Sequence, residues 1–382
     1  MSANSTLNKF TPARSGDKRQ ATWLEVFFDL VFAVTVTRLA SYLNHHSDAL
    51  GFIRYIVLFI PVWWAWTGFS YFSDIFDCDR HNYFRVMLLI AMLVVLVLAL
   101  NTRDALTTTS LWFAAAYTIL QGILVALYIW ARRKVKETKQ LCNKFITGFS
   151  FGAALWFSSL FVAPPSRFVL WGIALVIEVF TPLVTYLSLD RKPVHGSHMP
   201  YRLGQFTIIV IGETVAAVAV GVADTQWQLT TIFTAINGFA VAVCFWWLYF
   251  SHIDRTSIDR ALRNDNKEVL KSFVYGYGHI AIFAGVAAVG VGIELAIETA
   301  SEASTPLPLF YGAAMALVGM TAVHSVAAYS LPLWTIGLRL LTAVVAIVLA
   351  ELSLESAIAI SCFVLPLLIA VLLEERYLFA EK

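Results

Sequence analysis

The apolar residues of this chain fall in about twelve separate blocks, each about 20 residues long. That is the length an α-helix needs to cross roughly 30 Å of hydrocarbon. Turn formers and charges separate the blocks, as at Asn101–Asp104, Pro164–Ser166 and Asp190–Pro200. A soluble fold has too little polar surface to cover so many runs. The composition agrees, with 59% hydrophobic and only 14% charged residues among 382, against about a quarter charged in an ordinary soluble domain. The expected fold class is therefore all-α: a polytopic helical membrane protein with about 12 transmembrane helices.

The expected spans are Leu24–Leu43, Gly51–Phe72, Tyr83–Leu100, Ser110–Trp130, Leu141–Val162, Phe168–Leu187, Tyr201–Val222, Ile232–Phe250, Gly276–Ala296, Pro308–Ala328, Leu333–Ala350 and Ser356–Leu373. The polar first 22 residues hold Lys9, Arg14, Lys18 and Arg19. No short apolar core with a small-residue cleavage site follows them, so no cleaved signal peptide is expected. Basic residues in short loops mark the cytoplasmic side. Of the 27 Lys and Arg, Arg54, Arg103 and Arg167 fall on the side opposite the N-terminus, and Arg38 and Arg339 lie within spans. The rest share the N-terminal side, including Arg132–Lys139 and Arg255–Lys271. Both termini are thus expected in the cytoplasm. The four cysteines, Cys78, Cys142, Cys244 and Cys362, have neither disulfide nor zinc spacing.

An internal repeat is legible. Asp29 in Phe27-Phe-Asp-Leu-Val-Phe-Ala-Val aligns with Glu213 in Ile211-Gly-Glu-Thr-Val-Ala-Ala-Val, with four valine and alanine matches following. One helix later, Tyr71-Phe-Ser-Asp-Ile matches Tyr249-Phe-Ser-His-Ile, and Trp63-Trp64 matches Trp246-Trp247. An even helix number per unit makes the repeat parallel, not inverted. The expected organisation is a tail at 1–22, a six-helix repeat at 23–190, a linker at 191–200, a second six-helix repeat at 201–375 and a tail at 376–382.

Ionisable residues inside a span are costly and are candidates for function. Asp29 lies about 8 Å into span one at 1.5 Å per residue, with Glu25 one turn earlier on the same face. Glu213 and Arg202 share a face of span seven. Arg38, Glu178, His279, Glu294, His324 and Arg339 complete the intramembrane polar set. Glu178 and Glu294 are alternative partners for Arg38, and each group could equally be a structural pin between helices. Trp63, Trp64 and Trp66 read most simply as packing or interface anchors. Asp74, Asp77 and Asp79 could gather a divalent cation, but a solvated turn is the plainer reading. No metal or cofactor site is expected, and neither an HExxH helix nor a catalytic aspartate pair is present for an intramembrane enzyme.

Several stretches resemble the bacterial low temperature requirement protein A (LtrA) family. They are Thr22-Trp-Leu-Glu-Val-Phe-Phe-Asp-Leu-Val-Phe-Ala-Val, Ile75-Phe-Asp-Cys-Asp79, Arg202-Leu-Gly-Gln-Phe-Thr-Ile-Ile-Val-Ile-Gly-Glu213, Trp247-Leu-Tyr-Phe250, His279 with Gly285, and Gly290-Val-Gly-Ile-Glu294. The chain departs from the family pattern at Ile75, Tyr201 and Ser251. The resemblance implies a bacterial multi-pass membrane protein linked to growth in the cold, without an established biochemical activity. Phe27–Thr37 is also similar to the first helix of the endolysosomal potassium channel family, in which that helix lines the pore. The expected function is an ion or small-solute transporter or channel in the bacterial cytoplasmic membrane. Its candidate residues are Glu25, Asp29, Arg38, Arg202, Glu213, His279 and Glu294. The alternative is a non-transporting membrane sensor or partner protein acting in low-temperature growth. The partners are the lipid bilayer and an ion or small solute. A homo-oligomer is left open, and nucleic acid is not expected.

Overall fold

A computed structural model describes residues 22–76, 81–189, 199–223, 225, 227–252, 266–301, 304–327 and 331–380. Its twelve helices are α1 (Trp23–His45), α2 (Ala49–Ile75), α3 (Asn82–Thr102), α4 (Ser110–Lys134), α5 (Lys139–Ser159), α6 (Ser166–Leu187), α7 (Met199–Ala223), α8 (Leu229–Phe250), α9 (Asn266–Glu298), α10 (Leu307–Val326), α11 (Leu333–Glu351) and α12 (Ser356–Ala380). The described residues form no β-strand. A lipid core offers no water to unpaired backbone groups, so each segment satisfies its own amides and carbonyls by coiling. The protein is a polytopic helical membrane protein.

Eleven of these helices are long and apolar enough to cross a bilayer. The exception is α5, whose apolar run is diluted by Lys139, Gln140, Asn143, Lys144 and Thr147. Every expected span coincides with a helix, and the differences lie at the ends. Helix α9 begins at Asn266, well before the expected Gly276, because its first turns are polar and hydropathy marks only the apolar part of a helix. Helix α12 likewise runs past Leu373 through Glu374, Glu375 and Arg376.

The chain gathers into two compact units. The first comprises Met1–Arg38, Ile60–Arg202 and Ile258–Leu270. Within it α3 packs on α4, α4 on α5 and α5 on α6. Its core is aromatic: Trp156 lies between Tyr117, at 4.1 Å between ring centroids, and Trp171, at 5.1 Å. Tyr128 meets Phe72 and Phe145 edge-on at 5.0 Å each. Such pairs add about 0.5–1.5 kcal/mol each beyond the area they bury.

The second unit comprises Leu39–Phe59, Leu203–Ser257 and Lys271–Lys382. It is built around α9, whose most apolar stretch is 78% buried. Helix α10 approaches α9 through glycines spaced seven apart. A Cβ on Gly285 would lie 2.6 Å from the Gly312 carbonyl oxygen, and one on Gly292 would lie 2.1 Å from the Leu309 nitrogen. Between helices in lipid, where tails are as apolar as leucine, close backbone approach replaces the hydrophobic drive that packs soluble helices. Thr214 of α7 donates to the Val286 carbonyl at 3.0 Å, and Tyr55 of α2 donates to that of Ala284 at 2.8 Å. Helices α10 and α11, α11 and α12, and α8 and α12 complete the packing.

Candidate functional site

The start of α1 is set by a reciprocal cap. Glu25 accepts the Thr22 amide at 2.9 Å and the Thr22 hydroxyl at 3.3 Å, while the Glu25 amide reaches back to that hydroxyl at 3.4 Å. The Thr-x-x-Glu spacing dictates this arrangement, since it satisfies amides that the first helical turn leaves open. One turn on, Asp29 points to the same side, and both carboxylates are fully buried.

Arg202, in the first turn of α7, holds these two acids. Its Nη2 donates to Asp29 Oδ1, and its Nη1 lies 3.8 Å from Glu25 Oε1. Nη1 also donates to Ser73 Oγ at 3.2 Å. The indole Nε1 of Trp66 donates to the same Asp29 oxygen at 2.7 Å, and the guanidinium stands 5.8 Å from that ring's centroid. Trp66 and Ser73 are seven residues apart, two turns along one face of α2. Asp74, on the next position, accepts the Met199 amide at 3.0 Å and so places a negative charge at the positive end of α7.

Two buried carboxylates therefore share one buried guanidinium. Asp29 Oδ2 and Arg202 Nε have no hydrogen-bond partner among the described residues. The cluster can hold a negative charge against a fixed cation. It also offers one open acceptor to any second positive group.

Of the expected residues, the structure brings Glu25, Asp29 and Arg202 together. Arg202 pairs with Asp29, 173 positions away in sequence. Glu213 is half-buried further along α7. Arg38 corrects the expectation of an interhelical pair: it lies on the exposed face of α1 with no hydrogen bond or ion pair among the described residues. Its charged end can reach out of the apolar zone on a long stem. The acids offered as its partners are bonded elsewhere, Glu178 to Tyr117 and Gln121 and Glu294 to Asn44 at 2.9 Å. Asp77 and Asp79, the other members of the expected aspartate group, lie outside the described residues, as do the first 21 residues and 253–265.

His279 joins a second buried cluster, in the α9-centred unit. The Tyr275 carbonyl, 2.7 Å from His279 Nδ1, can only accept, so Nδ1 carries the proton and Nε2 accepts from the Tyr249 hydroxyl at 2.8 Å. Nearby, Arg339 forks onto Glu374 at 2.7 and 2.6 Å. It also donates to Nδ1 of His324 at 2.9 Å and of His252 at 3.3 Å. Since arginine only donates, both imidazoles accept through Nδ1. His252, just past the end of α8, has its pKa pulled down to about 4, by burial first and then by the Arg339 charge.

The sequence reading took Trp66 only as an anchor and missed Ser73 and Glu374. The seven-residue spacing from Trp66 to Ser73 could have marked one polar face of α2. Glu374 sits beyond the apolar window that defined the last span.

The family profile described as bacterial low temperature requirement A protein (LtrA) matches residues 20–374. An uncharacterized protein of Rhizobium meliloti (strain 1021) is 27% identical over 313 residues, covering 79% of this chain and 75% of that protein. No solved structure matches the chain significantly.

Proposed function

We propose that this chain, which belongs to the bacterial low temperature requirement A (LtrA) family, moves an ion or small solute across the bacterial cytoplasmic membrane. Asp29 is the charged element that the moving species engages. The observation that carries this reading is the charge arrangement of the buried cluster. Asp29 and Glu25 share Arg202, and one Asp29 carboxylate oxygen has no hydrogen-bond partner among the described residues. A passing cation can bind that oxygen and compete with Arg202, a competition worth most where water is excluded. An acid in the lead helix of each sequence half, Asp29 and Glu213, supports the same reading. The distribution of Lys and Arg supports both termini in the cytoplasm. A second copy of the chain is left as a partner to be sought by measuring the size of the purified protein.

The test is flux in liposomes holding the full-length protein, with protons and a panel of alkali cations and small solutes. The wild type should exceed empty liposomes for at least one species, and Asp29→Asn should lose most of that excess. Wild-type flux equal to empty liposomes across the panel refutes transport.

One observation favours a second reading. Glu25, Asp29 and Arg202 are no more than 1% exposed, as suits a pin that locks α1 and α7 in a non-transporting sensor of membrane state. Rescue of a cold-growth defect by a folded Asp29→Asn protein, as fully as by wild type, would select that reading.

A further inference from the structure

The first unit contains a further buried acid that no charged group holds among the described residues. Glu178 of α6 has no exposed surface. Its Oε2 accepts from Gln121 Nε2 of α4 at 2.8 Å and from the Tyr117 hydroxyl at 3.1 Å. The Gln121 amide nitrogen also lies 3.2 Å from the Tyr117 oxygen. Every one of these partners is neutral. From α5, the Trp156 indole faces the carboxyl without closing a hydrogen bond. Among the described residues, Tyr117 is the one titratable side chain bonded to it.

Two acceptor oxygens in this cluster are left over, Glu178 Oε1 and Gln121 Oε1, both buried and both without a hydrogen-bond partner among the described residues. Their side chains are chemically complementary. A primary amide and a carboxylic acid pair through two bonds in a ring: amide N–H to acid C=O, and acid O–H to amide C=O. The first bond is in place, from Gln121 Nε2 to Glu178 Oε2. The second requires a proton on Oε1, which would turn that acceptor into a donor toward the Gln121 carbonyl oxygen. With that proton Oε1 becomes the kind of donor that the Gln121 carbonyl oxygen lacks. Without it an uncompensated anion is buried beside a second acceptor, which is among the costliest arrangements in a protein interior.

A metal ion is a poor substitute. Oε2 already receives two donors, which leaves two oxygens where hard cations take about six or more. The α5 backbone closes the remaining side, since a Cβ on Gly152 would lie 2.5 Å from both Cγ and Oε1 of Glu178.

We propose that Glu178, with Gln121 and Tyr117, forms an intramembrane proton-binding site. It is separate from the Asp29–Arg202 cluster, and its occupant is an exchangeable proton shared with the Gln121 carbonyl oxygen. Release sends the proton to water and leaves the carboxylate on two neutral donors, Gln121 and Tyr117. Rebinding restores the ring.

Infrared spectroscopy of the full-length protein in liposomes tests this without any assumption about transport. The wild-type minus Glu178→Gln difference at neutral pH should show the carbonyl stretch of a protonated carboxyl. That band should shift in deuterated water and give way to a carboxylate band at high pH, and it should not change when sodium or potassium replaces choline. A carboxylate band at neutral pH overturns the proposal, and so does a protonated band that neither exchanges nor titrates. Loss of the band on adding sodium or potassium would make the occupant an alkali cation and overturns it equally. Should Glu178→Gln fail to insert, Gln121→Leu serves instead. Removing the amide partner should shift the protonated-carboxyl band, and an unmoved band refutes the pair.

Discussion

Replacing Arg202 with methionine removes the guanidinium but keeps a long apolar stem. Several contacts are lost together: the bond to Asp29, the 3.8 Å approach to Glu25, the 3.2 Å bond to Ser73 and the stand-off over Trp66. Two carboxylates with no exposed surface then remain without their cation. Breaking a buried pair from one side costs about 3–5 kcal/mol, because the stranded charge loses its compensation. Asp29→Asn is milder. It deletes the charge but keeps an oxygen for the Trp66 indole, and a cost of about 1.5–3 kcal/mol is expected for a lost charged hydrogen bond. In the double variant no Asp29 charge is stranded, so its cost should fall short of the sum by about 1–3 kcal/mol. The assay is a double-mutant cycle on the unfolding of purified protein in mixed micelles, followed by far-UV circular dichroism. An Arg202→Met cost below about 1 kcal/mol, or additivity within about 0.5 kcal/mol, would refute the pairing.

Close packing of α9 on α10 makes Gly285→Leu destabilising by about 1–3 kcal/mol through overpacking against the Gly312 carbonyl and the Ala316 backbone. Gly122→Ala and Gly172→Ala, where an added Cβ meets nothing within 4 Å, should instead be neutral or stabilising by about 0.5–1 kcal/mol. Thermal melts of the three variants check the contrast. His252 supplies a pH dependence. Its folded pKa of about 4 lies below the ordinary 6.5, so the unfolded chain binds the proton first. The stability it contributes is complete above about pH 6.5 and is lost as the pH falls through 4, by up to about 3 kcal/mol at 1.36 kcal/mol per pKa unit. His252→Gln should flatten that part of the stability curve, and an unchanged slope would show that the imidazole is not held neutral. Arg339→Lys keeps the charge but loses the fork onto Glu374, and unfolding should show a loss of about 1–3 kcal/mol.

What could be read from the chain and what could not divides along physical lines. The cost of placing a 20-residue segment in lipid is a sum over that segment alone, so the spans and the all-helical class were legible locally. So was the suspicion attached to Asp29 and Arg202, since an acid or arginine within an apolar run is conspicuous wherever it points. Its partner is another matter. Which charge meets which depends on the rotation and neighbours of each helix, and these are settled by packing between segments far apart in sequence. That packing decided that Arg202 answers Asp29 across 173 positions, that Trp66 is a donor and not only an anchor, and that Arg38 faces outward. It also brought Glu374 back from beyond the last apolar window to meet Arg339. Hydropathy weighs each residue against lipid, whereas a buried ion pair weighs one residue against another, and only the assembled helices contain that second term.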